Sequence, residues 1–439
     1  MSRTIRALLG ELYDTAVAAA HPSSCLPAYL PEPPPSGRLI VLAVGKAAAA
    51  MAAVTEEHYR ARGMLDRIEG FATVPYGYAA SLHMRPQAIE IVEARHPTPD
   101  AASVAAADRA LASVSGAGAN DLVLVLLSGG ASSLWAAPAA GLDLDAKTAL
   151  TRGLLKSGAD IHEMNTVRRH LSRIKGGRLR RAGAHAPMLT LAISDVPGDD
   201  PQTIGSGPSV PDPSTLADAR AVLDRRRPSM SALGLPVPDA VEIALRDAAN
   251  ETPKPGDAAF STAQYRIIAT PKISLAAAAR LALSRGYELL DLGDRVTGEA
   301  RHVASEHAQL ARRAKSERRR LAIISGGELE VTVRSKGGRG GRSQEYALAL
   351  AVALDGLEGV AALAGDTDGI DGGEGQPTDP AGALVLADTL ARARGRHLDA
   401  QKFLDNNDAT SFFEPLGDLL VRGPTHTNVN DFRVILVDP

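Results

Sequence analysis

The sequence predicts an α/β protein built as two domains, and three observations carry that prediction. Apolar runs of strand length repeatedly end in small or polar residues just where an Ala-rich helical stretch begins. Aromatic residues make up only 3% of the chain while Ala, Leu and Gly are abundant, which suits helices packed on a parallel sheet. At 439 residues the chain is also longer than the roughly 250–300 at which a single core stops growing.

The elements follow in order. Met1 to His21 reads as an amphipathic helix carrying Arg3, Arg6, Glu11 and Asp14, and the Pro-rich stretch Pro22 to Gly37 reads as a connector. Arg38 to Val44 is an apolar strand, followed at once by Gly45-Lys46 and a helix to about Ala61. The same pattern recurs at Asp121 to Leu127 with Ser128-Gly129-Gly130, and at Met188 to Ile193 with Ser194-Asp195. In an open parallel sheet such loops sit at the carboxyl ends of the strands, where ligands bind. A Pro-rich break from Pro208 to Pro238 places the domain boundary near Pro238, giving domains 1–238 and 239–439. Beyond it come strands at Tyr265 to Ala269, Tyr287 to Asp291, Leu321 to Ile324, Val360 to Leu363 and Phe432 to Val437. Helices run to about Arg285 and from Gly298 to Arg312.

Composition excludes several classes of function. The net charge of −3 is spread along the chain, so no attraction to nucleic acid or to an anionic membrane is expected. Cys25 is the only cysteine, which rules out an intramolecular disulfide and a Cys-rich zinc site and fits a reducing, cytoplasmic setting. No run of 18 apolar residues escapes a charge or a helix breaker. The one basic concentration, Arg168, Arg169, Arg173, Lys175, Arg178, Arg180 and Arg181, lies on two helical stretches broken at Gly176-Gly177. It reads either as a solvated helix face or as a wall for an anionic ligand, with Arg168, Arg169 and Lys175 nearest the chemistry.

Glycine-rich turns between strand and helix let backbone N–H groups point at an anion. Ser128-Gly129-Gly130-Ala131-Ser132-Ser133, Ser325-Gly326-Gly327-Glu328 and Gly337 to Arg342 all have that form. Lys46, directly after a buried strand, is a candidate phosphate contact. Neither known nucleotide fingerprint is present: Lys46 is followed by Ala47 and Ile40 stands five residues before Gly45, and no G-x-G-x-x-G follows a strand. Two acidic loops complete the set, one with Asp195, Asp199 and Asp200, the other with Asp366, Asp368 and Asp371. Carboxylates so spaced suit Mg²⁺, which takes one or two of them together with phosphate oxygens and water. The loop Gly423 to Asp431 adds His426 and Asn428 before the last strand.

Taken in order, these segments resemble the class II glycerate kinase family, some members of which are also named hydroxypyruvate reductase. The likeness runs through Val44-Gly45-Lys46-Ala47, His96-Pro97-Thr98-Pro99-Asp100, Leu127 to Ser133, Asn165 to Gly177, Ser194 to Asp199, Gly205 to Pro208, Ser325 to Glu328, Gly338 to Glu345, Gly365 to Gly372 and Gly423 to Asp431. Ser343 stands where the family more often has Asn, and Ile370 where Thr is common. The resemblance implies a Rossmann-like N-terminal αβα sandwich, a smaller C-terminal α/β domain holding the MOFRL module at residues 318–434, and an active site in the cleft between them. It implies transfer of a phosphoryl group from ATP, with Mg²⁺, to D-glycerate, most simply at its 2-hydroxyl. On that basis Lys46, Asp195 and Arg342 are the expected catalytic residues. Ser128, Gly129, Gly130, Ser132, Asn165, Arg168, Lys175, Ser325, Gly326, Gly327, Glu328 and Asn428 are the expected substrate and nucleotide contacts, and Asp195 and Asp366 the expected metal ligands. An NAD(P)H-dependent reductase acting on hydroxypyruvate and a non-catalytic sensor of sugar acids or nucleotides are the alternatives. A homodimer is open as the assembly.

Overall fold

A computed structural model describes residues 2–82, 84–335, 337–373 and 375–439; Met1, which opens the expected first helix, lies outside the described residues. The chain packs as two compact units, residues 26–268 and residues 1–25 with 269–439.

The first unit is built on strands β1 (Leu39–Val44), β2 (Ile68–Pro75), β3 (Ile89–Ala94), β4 (Leu122–Leu127), β5 (Met188–Ile193) and β6 (Ala263–Ala269). They lie side by side in the order β3-β2-β1-β4-β5-β6, and the pairings among the first five are parallel. Every residue of β1 and of β5 is buried, as expected of central strands covered on both faces. The helix Ala48–Arg60 packs on β1 and β2. The helix Ala101–Ser115, started by a reciprocal Asp100–Ser103 capping box, buries Ala106, Ala107 and Ala110 against Ile40, Leu42, Val123 and Val125. A separate layer of four helices, Leu144–Lys156, Ile161–His170, Leu216–Ala232 and Asp239–Arg246, has its own core of Leu150, Leu154, Val167, Val222 and Leu223. Val241, Ala244 and Leu245 join that core, so the chain just past Pro238 stays in the first unit. The division falls at residues 268 and 269, some way beyond the proline-rich break at which the sequence placed it.

In the second unit, β9 (Leu321–Ser325), β11 (Val360–Asp366), β12 (Gly382–Val385), β13 (Leu419–Leu420) and β14 (Asp431–Val437) combine with β7 (Glu288–Asp291) in the order β13-β12-β11-β14-β9-β7. Only the β7–β9 pairing is parallel; the other four are antiparallel. A short parallel pair, β8 (Gly298–Glu299) and β10 (Leu329–Glu330), lies outside this sheet. Side chains alternate between the two faces. Ile323, Ala362, Ile435 and Val437 pack with the helices Ala300–Ser316 and Arg342–Leu354, whereas Ala322, Ile324, Leu363, Val434 and Leu436 pack with Pro271–Ser284 and the N-terminal helix Ser2–Ala20. That N-terminal helix inserts Leu9, Leu12, Tyr13 and Ala16 into this core, so its partner is a stretch of chain more than 250 residues further on and not the strand that follows it. Among the described residues no helix is long and apolar enough to cross a membrane.

Candidate active site

In the first sheet the strand order reverses between β1 and β4, and the crevice at the carboxyl ends of these two strands is where open α/β sheets bind ligands. The two loops leaving them are locked together. Gly45 has φ 124°, and a Cβ there would lie 2.2 Å from the Ser128 hydroxyl oxygen, so only glycine permits this approach. The Lys46 N–H donates to the Gly129 carbonyl at 2.8 Å and the Ala47 N–H to Ser128 Oγ at 3.0 Å. Lys46 and the Ser128 turn, separated by some eighty residues of chain, thus share one site. Gly130, at φ 86°, packs against the His96 ring, with the Lys46 stem alongside. Burial, and after it the Lys46 ammonium, push His96 down to about 3, so its imidazole is neutral at physiological pH.

A cavity of about 440 Å³ opens here, lined among others by His96, Gly130, Ser132, Lys147, Arg168 and Lys175. One polar chain braces its wall. Lys175 Nζ donates to the Ser132 carbonyl at 2.6 Å and to Ser132 Oγ at 3.0 Å. Ser132 Oγ meets Ser206 Oγ at 2.9 Å, and Ser206 donates to Asn165 Oδ1 at 3.2 Å. Ser128, Gly129, Gly130, Ser132, Asn165, Arg168 and Lys175 therefore assemble around one centre with Lys46. Lys147 joins them without a signal in the sequence: it is buried on the helix Leu144–Lys156 and donates to the Leu171 carbonyl at 3.1 Å. Burial and then the charges of Arg168 and Arg173 push its ammonium down to about 7. Lys175 is driven well below the usual lysine range by burial and then by Lys147 and Arg168. His96 lies in the His96–Asp100 segment, where nothing in the sequence announces its place against Gly130.

The rest of the basic cluster does other work. Arg169 turns to Asp212, which it meets at 3.0 Å. Arg173 pairs with the exposed Asp108. Arg180 is fully buried and donates to the carbonyls of Ala259, Gly183 and Ala186 and to the Thr262 hydroxyl. The cluster is thus neither a solvated face nor a single ligand wall; of the three residues expected nearest the chemistry, Arg168 and Lys175 line the cavity and Arg169 does not.

Asp195 sits half-buried just past the end of β5. Four residues on, Asp199 holds φ 56°, and its Oδ1 is a buried oxygen without a hydrogen-bond partner. An orphaned carboxylate oxygen in the loop that carries Asp195 fits the one or two carboxylates that Mg²⁺ takes beside phosphate oxygens. Among the described residues no group of three or more His, Cys, Asp or Glu side chains forms a metal cage.

In the second unit Arg342 opens the helix Arg342–Leu354 and meets three carboxylates: Nε to Asp431 at 2.8 Å, Nη1 to Glu328 at 2.7 Å and Nη2 to Asp366 at 3.0 Å. Burial opposes its charge, but Asp431, Asp366 and Glu328 outweigh burial and hold it firmly protonated. Asp366 also accepts from the Asp368 N–H at 3.1 Å, so each of its oxygens carries a hydrogen bond and a cation there would share the carboxylate with the Arg342 guanidinium. The Ser325-Gly326-Gly327 turn is used internally. The Gly326 N–H donates to the Gly293 carbonyl at 2.8 Å, Ser325 Oγ accepts from Arg433 at 3.1 Å, and the Gly326 carbonyl accepts from Arg433 as well. The anion cradle expected there thus has its central amide occupied. Asn428 is buried in its loop and accepts from the Asn430 N–H at 3.2 Å. Asp371 takes the N–H groups of Ser343 at 2.9 Å and Gln344 at 2.8 Å, capping the Arg342 helix from outside it.

Residues 8–239 match the model of a domain of unknown function, DUF4147, and residues 321–431 match the MOFRL family. The chain is 45% identical to a putative hydroxypyruvate reductase of Agrobacterium vitis, over 98% of this chain and 94% of that protein. It is 36% identical to D-glycerate 2-kinase of Thermotoga maritima, over 99% of each. The crystal structure of glycerate kinase from Thermotoga maritima superposes with a TM-score of 0.84, covering 99% of this chain and all of that one, at 36% identity. With both halves matched in order and full-length relatives at this level of identity, the chain belongs to the class II glycerate kinase family, of which MOFRL is the C-terminal module.

Proposed function

We propose that this protein is a glycerate 2-kinase, transferring the γ-phosphoryl group of ATP to the 2-hydroxyl of D-glycerate. The observation that carries this reading is Lys46, seated on the Ser128-Gly129-Gly130 turn at the switch point of the first sheet. A lysine and a Gly-rich turn there suit an anion and lack the glycine fingerprint that a dinucleotide requires. The names of the relatives at 36% identity supply the substrate.

Phosphoryl transfer asks a protein for alignment and charge compensation more than for covalent help. Lys46 neutralises charge on the transferring group. Asp195 receives the proton of the attacking hydroxyl, a role suited to a carboxylate at a strand end. Mg²⁺ bound to the nucleotide would neutralise its β and γ oxygens, and Asp195 and Asp199 are the residues that would hold it. Arg342, with three of its five N–H donors on carboxylates, keeps two donors by which it would contact a phosphate oxygen.

The test is product analysis. Purified protein incubated with D-glycerate, ATP and Mg²⁺ should yield ADP and 2-phosphoglycerate by phosphorus NMR, and excess EDTA should abolish the reaction. Oxidation of NADH by hydroxypyruvate, without any phosphorylated glycerate, would overturn the kinase reading in favour of the reductase name borne by the Agrobacterium relative.

A further inference from the structure

The helix Leu144–Lys156 turns one stripe of side chains, Lys147, Thr148, Thr151, Arg152 and Leu155, into the cavity beside the Ser132 loop. These positions are three to four residues apart on one helix face, a spacing that brings them to a common surface. Nothing in the motifs marks this helix.

Lys147, Arg168 and Lys175 bring three cationic groups to the same cavity, and among the described residues none of the three is paired with a carboxylate. Arg168 depresses the ionisation of both lysines, and Lys147 that of Lys175. Like charges buried together without a counter-ion are costly, and a ligand anion is the group that offsets such a cost. Donors for it are left over. Lys175 has two of its three N–H groups on Ser132 and Lys147 one of its three on Leu171, which leaves one and two. Together with the N–H donors of the Arg168 guanidinium these are more than enough for the four lone-pair sites of a single carboxylate, so the choice of anion rests on the rest of the lining. A polyphosphate would present many more oxygens and no carbon skeleton, whereas this cavity also has the Thr148 and Thr151 side chains, which suit alcohol groups, and the apolar Ala136, Pro97 and Leu155.

We propose that Lys147, with Arg168 and Lys175, binds the carboxylate of the hydroxy-acid substrate, and that Thr148 and Thr151 contact its hydroxyls. This rests on the kinase reading only for the identity of the acid. The helix Leu144–Lys156 thereby becomes the element that selects a 2-hydroxy acid over a neutral polyol.

Calorimetric titration of D-glycerate and, separately, of ADP into the full-length protein tests the assignment, alongside steady-state kinetics. Lys147→Met should weaken D-glycerate binding by roughly 10–100-fold, the scale of a lost hydrogen bond to a charged group, and leave ADP affinity within about twofold. Thr151→Val, a smaller change at a half-buried position, should weaken D-glycerate binding severalfold and guards against misfolding of the first variant. The preference for D-glycerate over glycerol, measured as kcat/KM, should collapse in Lys147→Met. Unchanged D-glycerate affinity in both variants, or a loss confined to ADP, overturns the proposal, and in the second case the cavity holds nucleotide phosphates. If wild-type protein binds D-glycerate without phosphorylating it and Lys147→Met loses that binding, the kinase reading fails and the carboxylate site stands. If wild-type protein binds no hydroxy acid, the site assignment fails.

Discussion

The Lys46 backbone is fixed at the switch point by its N–H bond to the Gly129 carbonyl. Lys46→Ala should lower kcat and kcat/KM together if the charge acts on the transition state, and raise KM alone if it only anchors a ground-state anion; initial rates over a range of ATP and glycerate concentrations separate the two. Acid binding should also depend on pH. Only protonated Lys147 attracts a carboxylate, and in the free protein burial and the cations Arg168 and Arg173 hold its titration near 7, with Lys175, Arg152 and His96 also at the cavity. As pH rises above 7 the free site loses charge, so KM for the acid should climb between pH 7 and 9 and stay flat below 7. Lys147→Met should make that climb shallower, and a wild-type KM independent of pH would show that no lysine here titrates in this range. Lys46, Arg168 and Lys175 were readable because a strand end or a glycine break adjoins them. Lys147 was not: within Asp145-Ala146-Lys147-Thr148 it reads as an ordinary exposed helix residue, and its burial depends on Leu171 of a later segment. Asp366 was readable as an acid, but its capture by Arg342 depends on a contact 24 residues away in sequence.

The strand-end turns are the elements that carry the chemistry, and Gly45 is where two of them touch. Gly45→Ala would force a Cβ into the space of Ser128 and ask alanine to hold φ 124°. A loss of about 1–3 kcal/mol is expected from the backbone strain alone, with more from the clash. Thermal denaturation should show a lowered Tm and kinetics a fall in kcat, whereas a variant with both unchanged would mean that the two loops need not touch. The central strands β1, β4 and β5 were evident from their unbroken apolar runs. β2 and β3 were not, because Glu69, Gly70 and Pro75 interrupt the first and Glu90 and Glu93 the second, which is tolerable towards the edge of the sheet. The antiparallel pairing of the second sheet was hidden for another reason. Apolar alternation reports which faces are buried, but strand direction is set by connections whose course the pattern does not encode.

At the scale of the whole molecule, residues 1–25 belong with 269–439, and no local property of the N-terminal helix announces that. Leu12 and Tyr13 lie in the same core as Leu275, Phe432 and Leu436. Leu12→Ala should cost about 2–5 kcal/mol and speed amide exchange in Pro271–Ser284 and Asp431–Val437 while leaving Leu39–Val44 protected; loosening of the first sheet instead would show that the helix packs there. The arrangement bears on biosynthesis. The helix leaves the ribosome well before its core partners: Leu275 is translated roughly 260 codons later and the strand that covers Tyr13, β14, roughly 400, waits of roughly 13–80 s at ordinary elongation rates. Until the first of those partners emerges, residues 26–268 can build their own sheet while Leu9, Leu12 and Tyr13 remain on a nascent chain without the core that will bury them. The apolar stripe that closes the finished molecule is therefore, during translation, a natural handle for a chaperone and the segment most at risk of sticking to another nascent copy.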